Sequence, residues 1–422
     1  MASYHSPNKN KGATLNPATK INQPSVMFAS TFYIGVAFLI YNMLPVILKS
    51  AGDSLGINEQ QIGYLGSVYM AGSAISNVVA VFWVRRLNWQ VTTFISSLAA
   101  CSCYLLAAEA TYQQLLLLFF TLGLVNAAIV SCVFTCMGDT KNPNRAFGYG
   151  IGFQVILAGI GSFVLPVFII PYWNFAGVAV FLAISVIITI PMAFLLPKAG
   201  IKGNNETHNL SHTNTTIKPL TAMIWGFSGL FIYFVGQSGV WAFFGRIGGE
   251  GGLSDQQLGF IFGPTLMISA AGGFLTGWFS SRFDRRLMII GSITLGVLSL
   301  LILMMPFGTH FWMFLLSVLL YCLSWNFVMP FMMTIITEND INGSFAPLVP
   351  ACQLFGSVVG PAASGHLITN GSYFNIYLLA IISVVLCAII FVSIDNLGRK
   401  RKTMRILDIS DVNAISTQEV NN

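Results

Sequence analysis

The chain has 422 residues, of which 8% are charged and 55% hydrophobic, and its formal net charge is +6. A soluble domain carries roughly 25% charged residues, so a water-wetted globule is excluded and lipid is the solvent for most of the chain. A transmembrane β-barrel would show ~10-residue alternating segments. The long continuous apolar runs seen instead are helices, because lipid offers unpaired backbone groups no partner.

Residues 1–25 are polar, carry Lys9, Lys11 and Lys20, and have no apolar core. They read as a solvated tail and not as a cleavable signal peptide. A hydrocarbon layer of about 30 Å takes roughly 20 apolar residues per helical crossing. Twelve runs qualify, near 26–48, 59–83, 89–108, 113–137, 146–170, 174–197, 220–245, 255–280, 287–306, 311–336, 345–369 and 371–394. The expected fold is an all-α polytopic membrane protein of twelve transmembrane helices. Its expected divisions are a tail at 1–25, a six-helix bundle at 26–197, a linker at 198–219, a second bundle at 220–394 and a tail at 395–422.

With the N-terminus cytoplasmic, twelve crossings bring the C-terminus back to the same side, and 18 of the 20 Lys and Arg residues lie inside. Only Lys49 and Arg246 fall outside. The positive-inside rule selects that orientation, so both termini are expected in the cytoplasm and the protein in the inner membrane. The linker is rich in Asn, Thr, Gly and His, as a solvated connection is. Its three glycosylation-like patterns, at Asn205, Asn209 and Asn214, face the cytosol in this topology. His208 and His212 are four apart but have no helix signal around them.

The two halves repeat each other. Gly56-Ile57-Asn58-Glu59-Gln60-Gln61-Ile62-Gly63-Tyr64-Leu65 returns as Gly252-Leu253-Ser254-Asp255-Gln256-Gln257-Leu258-Gly259-Phe260-Ile261, with four positions identical. Asn58 with Gln61, and Ser254 with Gln257, have the spacing of a helix N-cap and its reciprocal partner. At the same offset of 196, Arg86 matches Arg282; at 199, Asp139 matches Glu338, Gln154 matches Gln353 and Gly161 matches Gly360. Two similar membrane-embedded halves are the mark of a carrier that rocks one half against the other.

With its twelve helices, the chain resembles the major facilitator superfamily. That family's signature between helices 2 and 3, roughly G-x-L-a-D-R-x-G-R-R, reads here as Gly277-Trp278-Phe279-Ser280-Ser281-Arg282-Phe283-Asp284-Arg285-Arg286. The usual acid is Ser281 and the second Gly is Asp284. The first half keeps only Arg85 and Arg86. The resemblance implies that this loop pairs with neighbouring helix ends and stabilises one access state, which makes Arg86, Arg282, Arg285 and Arg286 gating candidates. A Gly-Pro pattern that the family's exporters carry on helix 5 stands instead on helix 11, at Gly356-x3-Gly360-Pro361.

The resemblance also implies a cavity between the halves, lined mainly by helices 1, 4, 7 and 10. An ionisable group at the bilayer centre costs about 2.5–3.5 kcal/mol even on lenient scales, and this chain has almost none there. Arg246 and Glu250, and Lys49 and Asp53, repeat one spacing and predict a symmetrical pair of ion pairs. Arg246 is also a candidate outer gate. Asp139, Glu338 and His366 are the candidates for proton coupling. What remains at depth is neutral: Tyr33, Tyr41, Asn42, Asn126, Gln154, Tyr233, Gln237, Trp241, Tyr321, Trp325, Asn326 and Gln353. Buried amides need hydrogen-bond partners, from another helix or from a solute. Tyr33, Asn42, Asn126, Gln154, Tyr233, Gln237, Trp241, Trp325, Asn326 and Gln353 are therefore the candidate substrate contacts.

These residues predict a secondary transporter for a small organic solute, neutral or singly charged, acting as a monomer, with no cofactor, no bound metal and no nucleic-acid partner. Cys101, Cys103, Cys132, Cys136, Cys322, Cys352 and Cys387 read as small apolar fillers. A drug exporter of the same fold is the alternative reading. A non-transporting sensor and a membrane enzyme are alternatives of another class. The enzyme would need a nucleophile with a base, or clustered His and Asp, at one membrane depth.

Overall fold

The computed structural model describes residues 20–199, 218–280, 282–339, 349–369 and 371–420, and within them not the side chains of 144, 218–220, 273–275, 277–278, 280, 337–339, 349 and 398–420. Most of the linker, with His208 and His212, thus lies outside the described residues. The rest is helical: α1 (Pro24–Ala37), α2 (Leu39–Asn42), α3 (Leu44–Leu55), α4 (Glu59–Trp83), α5 (Trp89–Ala107), α6 (Tyr112–Gly138), α7 (Pro143–Val164) and α8 (Ile170–Thr189) come first. After the linker follow α9 (Lys218–Glu250), α10 (Asp255–Ser280), α11 (Arg285–Met304), α12 (Phe311–Asn339), α13 (Val349–Leu367) and α14 (Phe374–Val420).

The twelve expected crossings are these helices, with α1 to α3 as one broken crossing. The break has a chemical cause. Pro45 has no N–H to give to the carbonyl four residues back, and its ring crowds that turn. Met43, just before α3, sits at φ −102° and ψ 14°, outside helical values. The fifth and sixth runs form one long helical stretch that turns at Asn174, where φ is 49°.

Both copies of the repeated decapeptide open the same way. Gly56 has φ 61° and Gly252 φ 92°, left-handed values that a Cβ disfavours. The next residues then cap a helix as their spacing predicts. Asn58 and Gln61 exchange bonds of 2.9 and 3.0 Å, and Ser254 and Gln257 bonds of 3.3 and 2.9 Å.

The halves meet chiefly along three helix pairs: α3 with α9, α4 with α13, and α7 with α10. Glycine sets their separation. A Cβ on Gly63 would stand 2.4 Å from the Pro361 carbonyl oxygen, and one on Gly365 2.6 Å from that of Glu59. Backbones this close let many weak contacts add up without a hydrophobic driving force, which lipid does not provide.

The buried apolar residues fall into three groups. One mixes both halves, running from Val36–Leu48 through Val240–Ile247 to Phe314 and Tyr377. A second, from Val26 and Tyr33 to Cys136 and Leu196, contains first-half residues alone. The third, from Leu230 and Tyr233 to Phe391 and Ile394, contains second-half residues alone. The halves therefore share a core at the end carrying Gly56 and Gly252 and keep separate cores at the end carrying Arg85 and Arg285. We call these the closed end and the open end.

Candidate functional site

Where the shared core ends, an aromatic group spans the halves. Because Pro45 leaves the Tyr41 carbonyl without its helical donor, the indole N–H of Trp241 takes it, across the halves, at 3.3 Å. Trp325 stands edge-on to Tyr41 at 5.9 Å, to Phe234 at 6.0 Å and to Trp241 at 6.4 Å. Edge-to-face pairs of this kind contribute about 0.5–1.5 kcal/mol each beyond burial. The Tyr41 hydroxyl lies against Ser357, whose own hydroxyl donates to the Gln353 carbonyl at 2.9 Å. Tyr321 donates its hydroxyl to the Gln237 carbonyl.

The candidate contacts divide into two sets. Four are already engaged with protein. Tyr33 donates to the Thr189 carbonyl at 2.7 Å, and Asn126 to the Tyr104 hydroxyl at 3.3 Å. Asn326 donates to Ser269 and to the Cys322 carbonyl, both at 3.1 Å; Trp241 is held by Tyr41. Five others bury a polar atom with no protein partner: Asn42 Nδ2, Gln154 Oε1, Tyr233 OH, Gln237 Nε2 and Gln353 Nε2. Trp325 offers an aromatic edge between them. The structure packs Trp241 and Trp325 around Tyr41, and ties the Gln353 backbone to it through Ser357 and the Gln237 backbone to Tyr321. It gives Tyr33 and Asn126 separate partners inside the first half.

The closed end is tied by a reciprocal set of ion pairs. Within helices, Lys49 meets Asp53 at 2.7 Å and Arg246 meets Glu250 at 3.2 Å, the symmetrical pairs that the spacing predicts. Across the halves, Lys49 reaches Asp255 at 2.7 Å and Arg246 reaches Glu59 at 2.8 Å. Glu59 and Asp255 are the same position of the repeated decapeptide. Each half thus offers its cation to the other half's helix start. Arg246 also meets Asp53 at 2.8 Å. Sequence reasoning paired each cation only within its own helix, although the repeat register held the signal for the crossed partners.

Tyr373, just before α14, borders this cluster; burial and then the Glu250 carboxylate raise its phenol above the ordinary value. His366 adds another crossing. Its Nε2 and the Tyr64 hydroxyl are 2.7 Å apart, on α13 and α4.

At the open end, the ion pairs among the described residues stay within each half. Arg85, not its exposed neighbour Arg86, holds both oxygens of Asp139 at 3.0 and 3.1 Å. Arg285 bonds Asp395, whose side chain is fully buried, and Arg286 bonds Asn396 at 2.7 Å and Asp284 at 2.9 Å. Arg282 is exposed. The Glu338 side chain lies outside the described residues. Asp395 was not singled out in the sequence, where it looks like the end of an apolar run.

A cavity of about 960 Å³ opens here, lined by α1, α7 and the connection before α7, from Asn22 and Lys141 inward to Ile156. At the closed end, the gap beside Lys49 and Asp255 amounts to about 10 Å³. Among the described residues no group of three metal-ligating side chains forms.

The family model of the Major Facilitator Superfamily matches residues 27–344, and again 227–410. No curated protein matches the chain significantly. Among solved structures, the nucleoside transporter NupG is similar at TM-score 0.69 and 14% identity, covering 87% of this chain and 98% of its own. A bacterial homologue of the human lysosomal transporter Spinster, inward-facing and unoccupied, is similar at TM-score 0.61 and 15% identity, covering 91% and 96%. At these identities the likeness is one of fold.

Proposed function

Because the chain belongs to the Major Facilitator Superfamily, we propose that it is a secondary carrier moving a small organic solute across the inner membrane by alternating access. One observation supports this above the rest: a core shared by both halves at one end, and separate cores at the other. Two lobes joined that way can exchange which end is shut. The 18 basic residues that lie on one side in the twelve-crossing topology support a cytoplasmic open end. The state is then inward-facing.

In this reading Lys49, Arg246 and their crossed carboxylates shut the outer gate. Tyr41, Trp241 and Trp325 seal the passage beneath them. The solute is neutral or singly charged and supplies hydrogen bonds to the buried amides of Asn42, Gln154, Gln237 and Gln353. A buried polar atom left unpaired costs about 1–3 kcal/mol, so a solute that pairs several of them gains that much for each. Protons are the proposed coupling ion, with His366 the candidate whose bond crosses between the halves.

Thermal stabilisation of the purified protein across a metabolite library, followed by uptake of the hit into proteoliposomes, tests the proposal. Gln353→Ala is expected to abolish the stabilisation while Asn326→Ala, already paired with Ser269, lowers basal stability and keeps the shift. An undiminished shift in Gln353→Ala, or a hit that binds but is never accumulated or exchanged, would remove the reading. Equal accumulation with and without a pH gradient would remove proton coupling.

A further inference from the structure

The open-end cavity carries a charge pattern that the deep contacts do not. Its lining includes Lys141 and Arg145, and among the described lining residues no carboxylate. The nearest acid in the chain, Asp139, gives both oxygens to Arg85. Arg145 lies over the Tyr149 ring at 5.4 Å and gives its Nε–H to the Tyr149 hydroxyl at 3.0 Å. This contact engages Nε alone, so the paired terminal N–H groups are not used by Tyr149. Asn22, Thr31, Thr140 and Asn142 add neutral hydrogen-bonding groups.

The wall these residues form is the α7 face that, further in, meets the other half. Gly159 and Phe163 of that face pack against Gly263. On α7 the lining runs from Arg145 to Ile156, 11 residue steps or about 16 Å of helix at 1.5 Å per residue. Low-dielectric walls focus the field of two such cations along the passage, and clefts of one sign raise the local concentration of opposite charge by 10–10³. Guanidinium beside ammonium is the donor set that carboxylate and phosphate take up best.

We infer that this vestibule selects solutes bearing one carboxylate or one singly ionised phosphate group, held by Arg145 and Lys141 before the body of the solute reaches the buried amides. The inference deepens the carrier reading and rests on it for the word solute. The vestibule's field can be measured whether or not the chain transports.

The experiment uses the full chain with Cys352→Ala, since the other six cysteines are buried. Gly148→Cys supplies a reporter in the lining, where a side chain meets open space. The probes are a sulfonate-bearing and a trimethylammonium-bearing methanethiosulfonate, with rates corrected by those for a free thiol. The anionic reagent is expected to react about tenfold faster. Arg145→Gln with Lys141→Gln should bring the ratio near one, and Arg145→Lys should keep most of it. Acetate and inorganic phosphate, compared with chloride at equal ionic strength, should slow the labelling; protection by one alone names the group. A ratio near one in the parent, a ratio unmoved by the double substitution, or protection by neither anion would overturn the assignment.

Discussion

The closed and open ends of this molecule are built by the same helices, and they differ in which partners their charges choose. At the closed end every cation bridges to the other half: Lys49 to Asp255, Arg246 to Glu59 and Asp53. At the open end Arg85, Arg285 and Arg286 bond acids of their own half. Ion pairs that cross a seam oppose its opening, whereas pairs inside a lobe stiffen that lobe and let it move as a body. The comparison teaches that charge is spent here on choosing a state and on holding each lobe rigid, while cohesion comes from close-packed small residues and aromatic edges.

Glycine substitutions break the comparison most severely. Gly72 lies inside the first half, where a Cβ would stand 2.1 Å from the Phe120 carbonyl oxygen; Gly63 lies between halves, against Pro361. Gly72→Leu is expected to lose folded protein outright, since even one extra methylene in a packed core costs about 1–3 kcal/mol. Gly63→Leu should leave each lobe folded and wedge the closed end apart. Labelling of a buried reporter, Ser50→Cys, should then accelerate more than tenfold. Equal loss of folding in both variants would contradict the division into lobes.

Arg246→Gln comes next. It removes two crossed pairs, takes the cation from Glu59 and leaves Asp53 with Lys49 alone, and its side chain is only 18% exposed. The expected shift is about tenfold toward closed-end exposure, or about 1.4 kcal/mol. Lys49→Gln, with one crossed pair, should shift it about threefold. A larger effect at Lys49 would place the gate differently. Trp241→Phe keeps an aromatic six-membered ring but deletes the N–H to Tyr41, a loss of about 1 kcal/mol to which the void left by the second ring adds, read by the same reporter. The smallest change is Tyr64→Phe. It removes an exposed hydrogen bond to His366 and should move labelling less than twofold at neutral pH; a larger shift would make that pair part of the gate.

Much of the architecture was legible in the residues. Run length gave the crossings, and the register of Gly56-to-Leu65 with Gly252-to-Ile261 gave the duplication and both helix caps. The site was legible in composition more than in arrangement. Asn326 and Gln353 look alike in sequence, each a mid-helix amide. Only packing shows Asn326 satisfied by Ser269 on the neighbouring helix while the Gln353 amide nitrogen has no protein partner. The crossed ion pairs depend on which end of the two lobes is shut: the repeat register marks Glu59 and Asp255 as equivalent, but only relative placement brings each to the other half's cation.

Spin-label distances at the two ends test the central claim most directly. One pair joins Gly148→Cys and Gly291→Cys, both in open space toward the open end; the other joins Gln60→Cys and Gln256→Cys, both exposed at the closed end. On adding a stabilising solute, part of the population is expected to show a shorter open-end distance together with a longer closed-end distance. Distances that stay fixed under every solute and pH, or that lengthen or shorten together at both ends, would contradict a carrier whose lobes exchange which end is shut.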